Sequence, residues 1–427
     1  MADQYTNADT DRGRPPQDNP TGRWRSPIRG PWLTSVLGAV LLVGIPVEFL
    51  TGLVSYAAYN PKLGGDPNPA HGPLGWFLFG WVTSPAWAYR AVEGTHVVLG
   101  LVLVPVVLAK LWSVMPKLFR LAPRISLAYL LERFSLVLLV GGVIFEFFTG
   151  ILDINYWNAY RFDFYTGHFY GAWLFMAGFV IHAGVKMLPM WRALRSRRLR
   201  DELRTGLADT RPEPLDASGL VARDPAPATI SRRGALALVG GSSLAVFVLT
   251  AGNMIGGRFR SLALLAPHNQ GSGTGPNDFQ VNHTAAQAGI DASVTGPAWR
   301  LQVVGPERTV ELDRAALLAL PQTTATLPIA CTEGWSTTQR WTGVPLYRLA
   351  SLVGVERPGS AVLGDLQGSG ATLSGAQARH PHTLLALRVN GADLSLDHGF
   401  PARVMAPAAP GNYNRKWMRR ISFVEAG

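Results

Sequence analysis

Ile329-Ala330-Cys331-Thr332-Glu333-Gly334-Trp335-Ser336 holds the only cysteine in a chain of 427 residues. A lone thiol cannot build an internal disulfide, an iron–sulfur cluster or a structural zinc site. It can supply one soft thiolate to a metal whose other ligands come from a cofactor. Taken alone, a single cysteine is more often a small buried hydrophobe, so its neighbours have to decide. Thr324–Ala330 reads as a strand, which places Cys331 just after it, in a loop anchored by scaffold. Glu333, two residues on, is either a proton-transfer group or an ordinary loop carboxylate.

Downstream, Trp341, Gly343, Pro345 and Leu346 open an amphipathic stretch, and His398, Gly399, Pro401, Arg403, Pro407, Gly411, Lys416 and Trp417 follow near the end. Cys-x-Glu-Gly-Trp-Ser followed by Trp-x-Gly-x-Pro-Leu resembles the sulfite-oxidase superfamily of molybdopterin enzymes. Within it, the match is to the catalytic subunit of bacterial protein-methionine-sulfoxide reductases and their actinobacterial relatives. The resemblance covers about residues 277 to 427. It implies an α+β domain with molybdenum-molybdopterin, Cys331 as the molybdenum thiolate, Asn277 and His398 as pterin contacts, and Arg403 and Lys416 on the terminal phosphate. The family's threonine contact falls near Leu366, which cannot donate a hydrogen bond, and is not carried over.

The chemistry asks for such residues independently. A phosphate dianion suits the planar fork of Arg403 and the compact charge of Lys416, and Gly399 and Gly411 allow close backbone approach to a bulky ligand. The alternative is that Arg403, Arg415, Lys416, Arg419 and Arg420 form a solvated basic face. Further strands are expected at Trp299–Val304 and Arg403–Ala406, and short helices at Arg314–Leu320 and Leu346–Leu352.

Upstream the chain changes character. With 48% hydrophobic and 16% charged residues overall, the composition is membrane-like. Five runs, about 32–56, 91–115, 127–152, 168–190 and 234–255, are long enough to span a ~30 Å hydrocarbon core. Arg23, Arg25 and Arg29, then Lys117, Arg120 and Arg124, then Arg192, Arg195, Arg197, Arg198 and Arg200 cluster on one side, which the positive-inside rule makes cytoplasmic. Trp76, Trp81, Trp87, Tyr156, Trp157, Tyr160 and Tyr165 suit an interfacial belt on the other. Five spans then put the N-terminus in the cytoplasm and the C-terminal domain on the external face of the cell membrane. Topology and anionic lipid explain much of the +11 net charge, and no nucleic-acid recognition motif accompanies it.

The expected order is a disordered cytoplasmic tail (1–30), a four-helix cytochrome b-like membrane domain (31–197), a cytoplasmic linker (198–230), a fifth membrane helix (231–256), a flexible tether (257–276) and the molybdopterin domain (277–427). The fold class is thus an all-α transmembrane four-helix bundle plus a fifth helix, followed by α+β. Ser231-Arg232-Arg233-Gly234-Ala235-Leu236 resembles a twin-arginine export signal, although positive-inside residues give the same topology.

An internal repeat decides the histidines. Gly44, Glu48, Phe49, Thr51 and Gly52 recur 98 residues later as Gly142, Glu146, Phe147, Thr149 and Gly150. Span 1 then matches span 3, and span 2, with His96, matches span 4, with His168. A parallel two-helix repeat sets these imidazoles across a pseudo-twofold axis at similar depth, where they can bracket one haem b iron without a covalent attachment motif. The segment resembles the haem-b subunits of hydrogenases and formate dehydrogenases. Gly52 and Gly150 would admit a porphyrin close to the backbone. His182 has Lys110 at its equivalent position, which argues against a second, inner haem. Glu48 and Glu146 are intramembrane carboxyls, either functional or paired within the helices.

These readings combine into a membrane oxidoreductase that transfers oxygen atoms at a sulfur-type substrate, with sulfoxide reduction favoured and electrons exchanged with a membrane quinone or quinol. A sulfite dehydrogenase running in the oxidative direction and a cofactor-free binding or assembly protein are the alternatives.

Overall fold

The computed structural model describes residues 24–59, 79–118, 127–157, 159–215, 218–266 and 271–426. The expectations for residues 1–23 and for Trp76 lie outside them. Among the described residues, five helical stretches are long and apolar enough to cross a membrane: Pro31–Tyr59, Ala88–Leu118, Arg133–Ile154, Phe164–Ser196 and Arg232–Ile255. They are built from α1 (Pro31–Tyr59), α2 (Ala88–Leu118), the end of α3 (Leu127–Leu136), α4 (Gly142–Ile154), α5 (Phe164–Ser196) and α6 (Arg232–Thr250). A π turn at Val137–Gly141 joins α3 to α4, and such a turn rotates the residues after it around the helix axis.

The chain forms two compact units. One comprises residues 1–43, 103–137 and 179–243, the other 44–102, 138–178 and 244–427. In the first, Ile28, Trp32, Leu33, Leu37 and Val106 form a buried cluster. The Lys110 ammonium donates to the Thr34 carbonyl at 2.6 Å. Residues 198–215 are tied in rather than loose: Glu202 pairs with Arg197 at 2.5 Å and with Arg232 at 3.5 Å, while Glu213 accepts from the Trp32 backbone N–H at 3.1 Å. Arg232, one of the two expected export arginines, is thus buried in an ion-pair network.

The second unit carries one two-stranded and two five-stranded sheets among the described residues. Short strands β1 (Gly271–Ser272) and β2 (Gln280–Val281) pair first, so the stretch expected as a tether has strand structure at its end. β3 (Leu301–Val304), β4 (Thr309–Leu312), β5 (Thr323–Cys331), β6 (Trp335–Pro345), β7 (Pro358–Asp365), β8 (Gly370–Ser374), β9 (Leu384–Val389), β10 (Ala392–Asp393), β11 (Arg403–Met405) and β12 (Met418–Glu425) follow. One five-stranded sheet has the order β10-β9-β6-β5, with β11 also on β9; the other is β4-β3-β12-β7-β8. Only β3 and β12 run parallel among these pairs. Helices α7 (Arg314–Ala319), α8 (Leu346–Ser351) and α9 (Gly375–Arg379) connect them. Asp313 caps α7 by accepting from Ala316 N at 2.7 Å, and Ser374 with Gln377 forms a capping box on α9. Leu301, Val303, Leu346, Leu349, Leu385, Val404 and Ile421 are fully buried in the core beneath.

Cys331 is the last residue of β5 rather than the first of a loop. The antiparallel pairing of β5 with β6 continues until Cys331 faces Trp335. Only Thr332, Glu333 and Gly334 make the turn between them, with Gly334 at φ 74°, a conformation glycine adopts at little cost. The thiol is therefore held by the sheet itself.

Candidate active site and the histidine pocket

Cys331 is buried, and its Sγ lies 3.8 Å from Asn282 Nδ2. A cavity of about 210 Å³ runs from this thiol to Arg403 and Lys416, with Glu333, His283 and Arg415 also in its wall. Arg403 opens β11 and is anchored by donating to the His398 carbonyl at 3.1 Å and the Asn414 carbonyl at 2.9 Å. Its guanidinium stacks 5.1 Å from the Trp341 ring. Lys416 donates to the His283 carbonyl at 2.8 Å.

Seven buried polar atoms on this wall have no hydrogen-bond partner: Gln280 Nε2, Glu333 Oε2, Trp335 Nε1, Arg403 Nε, Asn412 Oδ1, Asn414 Nδ2 and Arg415 Nε. Unsatisfied buried groups are rare and costly. Five of the seven are donors, so the wall fits a polar, anionic group. One glycine, Gly411, keeps the space beside the thiol open, and another, Gly399, allows close packing against the segment that carries Lys416. A Cβ on Gly411 would lie 3.5 Å from the Cys331 sulfur, and one on Gly399, at φ 105°, would lie 3.1 Å from Lys416.

Burial dominates the electrostatics. It pulls the Arg403 guanidinium down to about 9 and, with Arg403 adding repulsion, the Lys416 ammonium down to about 7. His398 falls to about 3, through burial first and then the charges of Arg403 and Lys416. The Cys331 thiol is pushed well up by burial and then by Glu333, and burial raises Glu333 as well. Burial thus disfavours the charged form of each of these groups, and an opposite charge brought beside one of them would offset that.

Asn277 and His398 stand behind this wall rather than in it. Asn277 donates to the Asp393 carbonyl and accepts from Ser395 N, both at 2.9 Å, which fixes the turn leading to His398. His398 Nδ1 meets Ser395 Oγ at 2.8 Å, and its ring sits 3.8 Å from that of Phe279. Sequence reasoning missed Gln280, Asn282, Asn412 and Asn414. The run Asn412-Tyr413-Asn414 beside Lys416 was the available signal, being polar yet set between buried residues.

A second cavity, of about 190 Å³, is lined by His96 on α2 and His168 on α5, with Gly52 on α1 and Gly150 on α4. The ring centroids of the two histidines are 6.2 Å apart, at 85° to each other. His96 Nδ1 lies 3.0 Å from the Glu48 carbonyl and 3.3 Å from the Glu48 carboxyl. His168 Nδ1 lies 3.0 Å from the Glu146 carboxyl and 3.1 Å from Thr149 Oγ1. Both Nδ1 atoms are engaged, which orients the rings and keeps each Nε2 for another ligand. The repeat related the glutamates to one another but did not reveal that each faces its own histidine. His182 does not line this cavity.

Residues 287–427 match the family model of the oxidoreductase molybdopterin binding domain. The C-terminal module is therefore a molybdopterin-binding oxidoreductase domain of sulfite-oxidase type. Three relatives place it further. A putative protein-methionine-sulfoxide reductase subunit, YedZ1, of Azospira oryzae is 32% identical over 30% of this chain and 50% of its own length. An uncharacterized oxidoreductase, YuiH, of Bacillus subtilis is 32% identical over 30% of this chain and 66% of its own. Mitochondrial sulfite oxidase of Homo sapiens is 32% identical over 21% of this chain and 18% of its own. The chain thus spans half the length of the first of these relatives and smaller or modestly larger shares of the others.

Proposed function

We propose that the protein is a molybdenum-dependent membrane oxidoreductase that removes an oxygen atom from a sulfoxide-type substrate and draws the electrons through a haem b from a membrane quinol. The cavity joining the Cys331 thiol to Arg403 and Lys416, with unpaired donors along its wall, carries the reading. It is the shape required by a ligand with a soft, metal-binding end and an anionic tail.

Cys331 would hold the metal, and Arg403, Lys416 and the Arg415 Nε–H would hold the phosphate. When bound, the molybdenum centre supplies two-electron oxygen-atom transfer. The chain's part is positioning and proton management. Asn282 steadies the sulfur by its Nδ2 donor. Glu333, raised by burial, is suited to keep a proton for the oxygen that leaves as water, since reducing a sulfoxide to a sulfide consumes two electrons and two protons. Asn277 and His398 fix the loop from which Arg403 is held.

His96 and His168 would bracket the haem iron. Their ring centroids stand 6.2 Å apart, and a haem held there would supply one-electron transfer. We place the N-terminus in the cytoplasm and the catalytic domain outside, on the charge asymmetry of the loops, with Arg232 and Arg233 serving topology and, as a second role, twin-arginine export. The domain order given by the sequence is retained in this proposal.

The test is molybdenum and iron quantification, with turnover of methionine sulfoxide and of sulfite, on wild type and Cys331→Ser. The expected result is about one molybdenum per wild-type chain, turnover favouring methionine sulfoxide, and loss of both in the variant. Turnover of sulfite alone would reverse the direction of flow, the reading that the sulfite oxidase relative favours. Wild type free of molybdenum would make the external domain a binding module.

A further inference from the structure

The two cavities share a wall. Tyr59, Tyr165 and Thr332 line both of them. Thr332 is covalently next to Cys331, and its Oγ1 lies 3.2 Å from the Tyr165 hydroxyl. Tyr165 and Phe164 begin α5, three and four residues before His168. That helical spacing brings Phe164 back onto the histidine: their rings stack at 4.9 Å and 28°. Phe164 and Tyr165 then meet edge to face at 5.3 Å and 69°. Every step from the imidazole to the thiol is thus a ring contact, a hydrogen bond or a covalent bond.

We propose that Phe164, Tyr165 and Thr332 form the electron bridge between the His96–His168 pocket and the Cys331 cavity, with Tyr59 stacked against it. The proposal rests on the haem and molybdenum reading above. Electron tunnelling decays with distance, and less steeply through bonded and hydrogen-bonded atoms than across a gap. This chain of contacts leaves no gap to jump. Tyr59 stacks on Tyr165 at 4.7 Å and 21°, which orients the Tyr165 ring and puts aromatic surface on the shared wall. One electron crosses at a time. Two crossings, with two protons, convert a sulfoxide to a sulfide and water, and oxidation of one membrane quinol to quinone releases the same two electrons and two protons. Electrons derived from sulfite would use the same bridge in reverse.

The experiment uses the full-length protein in detergent with both cofactors loaded. The haem is reduced, methionine sulfoxide is added by rapid mixing, and haem reoxidation is followed by its absorption; in the reverse experiment, sulfite reduces an oxidised haem. Tyr165→Leu removes ring and hydroxyl, and Tyr165→Phe keeps the shape while cutting the link to Thr332. Tyr170→Phe, on an exposed face of the same helix, is the control. We expect Tyr165→Phe to slow haem oxidation on the order of tenfold, Tyr165→Leu to slow it further and the control to match wild type. Haem content, haem midpoint potential and molybdenum content should stay unchanged in Tyr165→Phe. Wild-type rates in fully loaded Tyr165→Phe and Tyr165→Leu would overturn the bridge alone. Wild type lacking haem or molybdenum would instead overturn the reading on which it rests. If Tyr165→Leu loses a cofactor, Tyr165→Phe decides, since it preserves the packing.

Discussion

Lys416 and Arg403 face one cavity, and among the described residues no carboxylate stands within ion-pair distance of either. That arrangement has a pH signature. An ordinary lysine titrates at 10.5, and Lys416 is drawn down to about 7 by burial and by Arg403. Between those values the unfolded chain holds the proton and the folded one does not. The unfolded state binds more protons there, so the contribution of Lys416 to stability rises with pH across this window and is lowest below it. Thermal unfolding of cofactor-depleted protein between about pH 7 and about pH 9 should therefore rise more steeply in wild type than in Lys416→Met. Equal slopes would show that the ammonium is not desolvated. The type and order of these residues were legible in the sequence, as a basic run after a His-Gly-x-Pro-x-Arg segment. That they converge on the thiol, with asparagines between them, was not, because convergence comes from β5, β11 and the loop before β12 meeting in space.

At the scale of elements, the three strands and two short helices expected in the C-terminal module lie within two residues of β3, β5, β11, α7 and α8, whereas β4, β6 to β10, β12 and α9 have no counterpart among the expectations. Alternating burial along β5 fixes which side chains meet the core: Leu327 and Ile329 are buried, and Leu327 also presents its carbonyl to the Trp341 indole N–H at 3.2 Å. The end of β5 was misjudged by one residue, since nothing local says that pairing persists to Cys331 and that the turn is only three residues long. Gly399 offers a test of the turn before Arg403. It sits at φ 105°, where a side chain is strained, and a Cβ there would press on Lys416 at 3.1 Å. Gly399→Ala should cost about 1–3 kcal/mol of stability and reduce molybdenum content, read by unfolding and by metal analysis. A variant as stable and as loaded as wild type would mean that the turn has room to move.

On the whole-molecule scale, the two cavities share only Tyr59, Tyr165 and Thr332 among their lining residues. The histidine pocket is assembled from α1, α2, α4 and α5, and each imidazole is oriented from its own repeat by Glu48 or Glu146. The thiol cavity is assembled from the sheet that ends at Cys331 and from the Arg403–Lys416 segment. Neither set of ligands contributes to the other chamber, so loading of one cofactor should not require the other. His96→Ala should abolish the reduced haem-b bands while leaving molybdenum near one per chain, and Cys331→Ser should do the opposite. On the electron route proposed above, both variants should nonetheless lose quinol-driven sulfoxide reduction completely, because each would break one end of it. Spectroscopy and metal analysis on the same preparations check all three statements. If His96→Ala turned over sulfoxide with quinol at the wild-type rate, electrons would be entering the catalytic domain from elsewhere, and the fusion of membrane helices to this domain would serve attachment rather than electron supply.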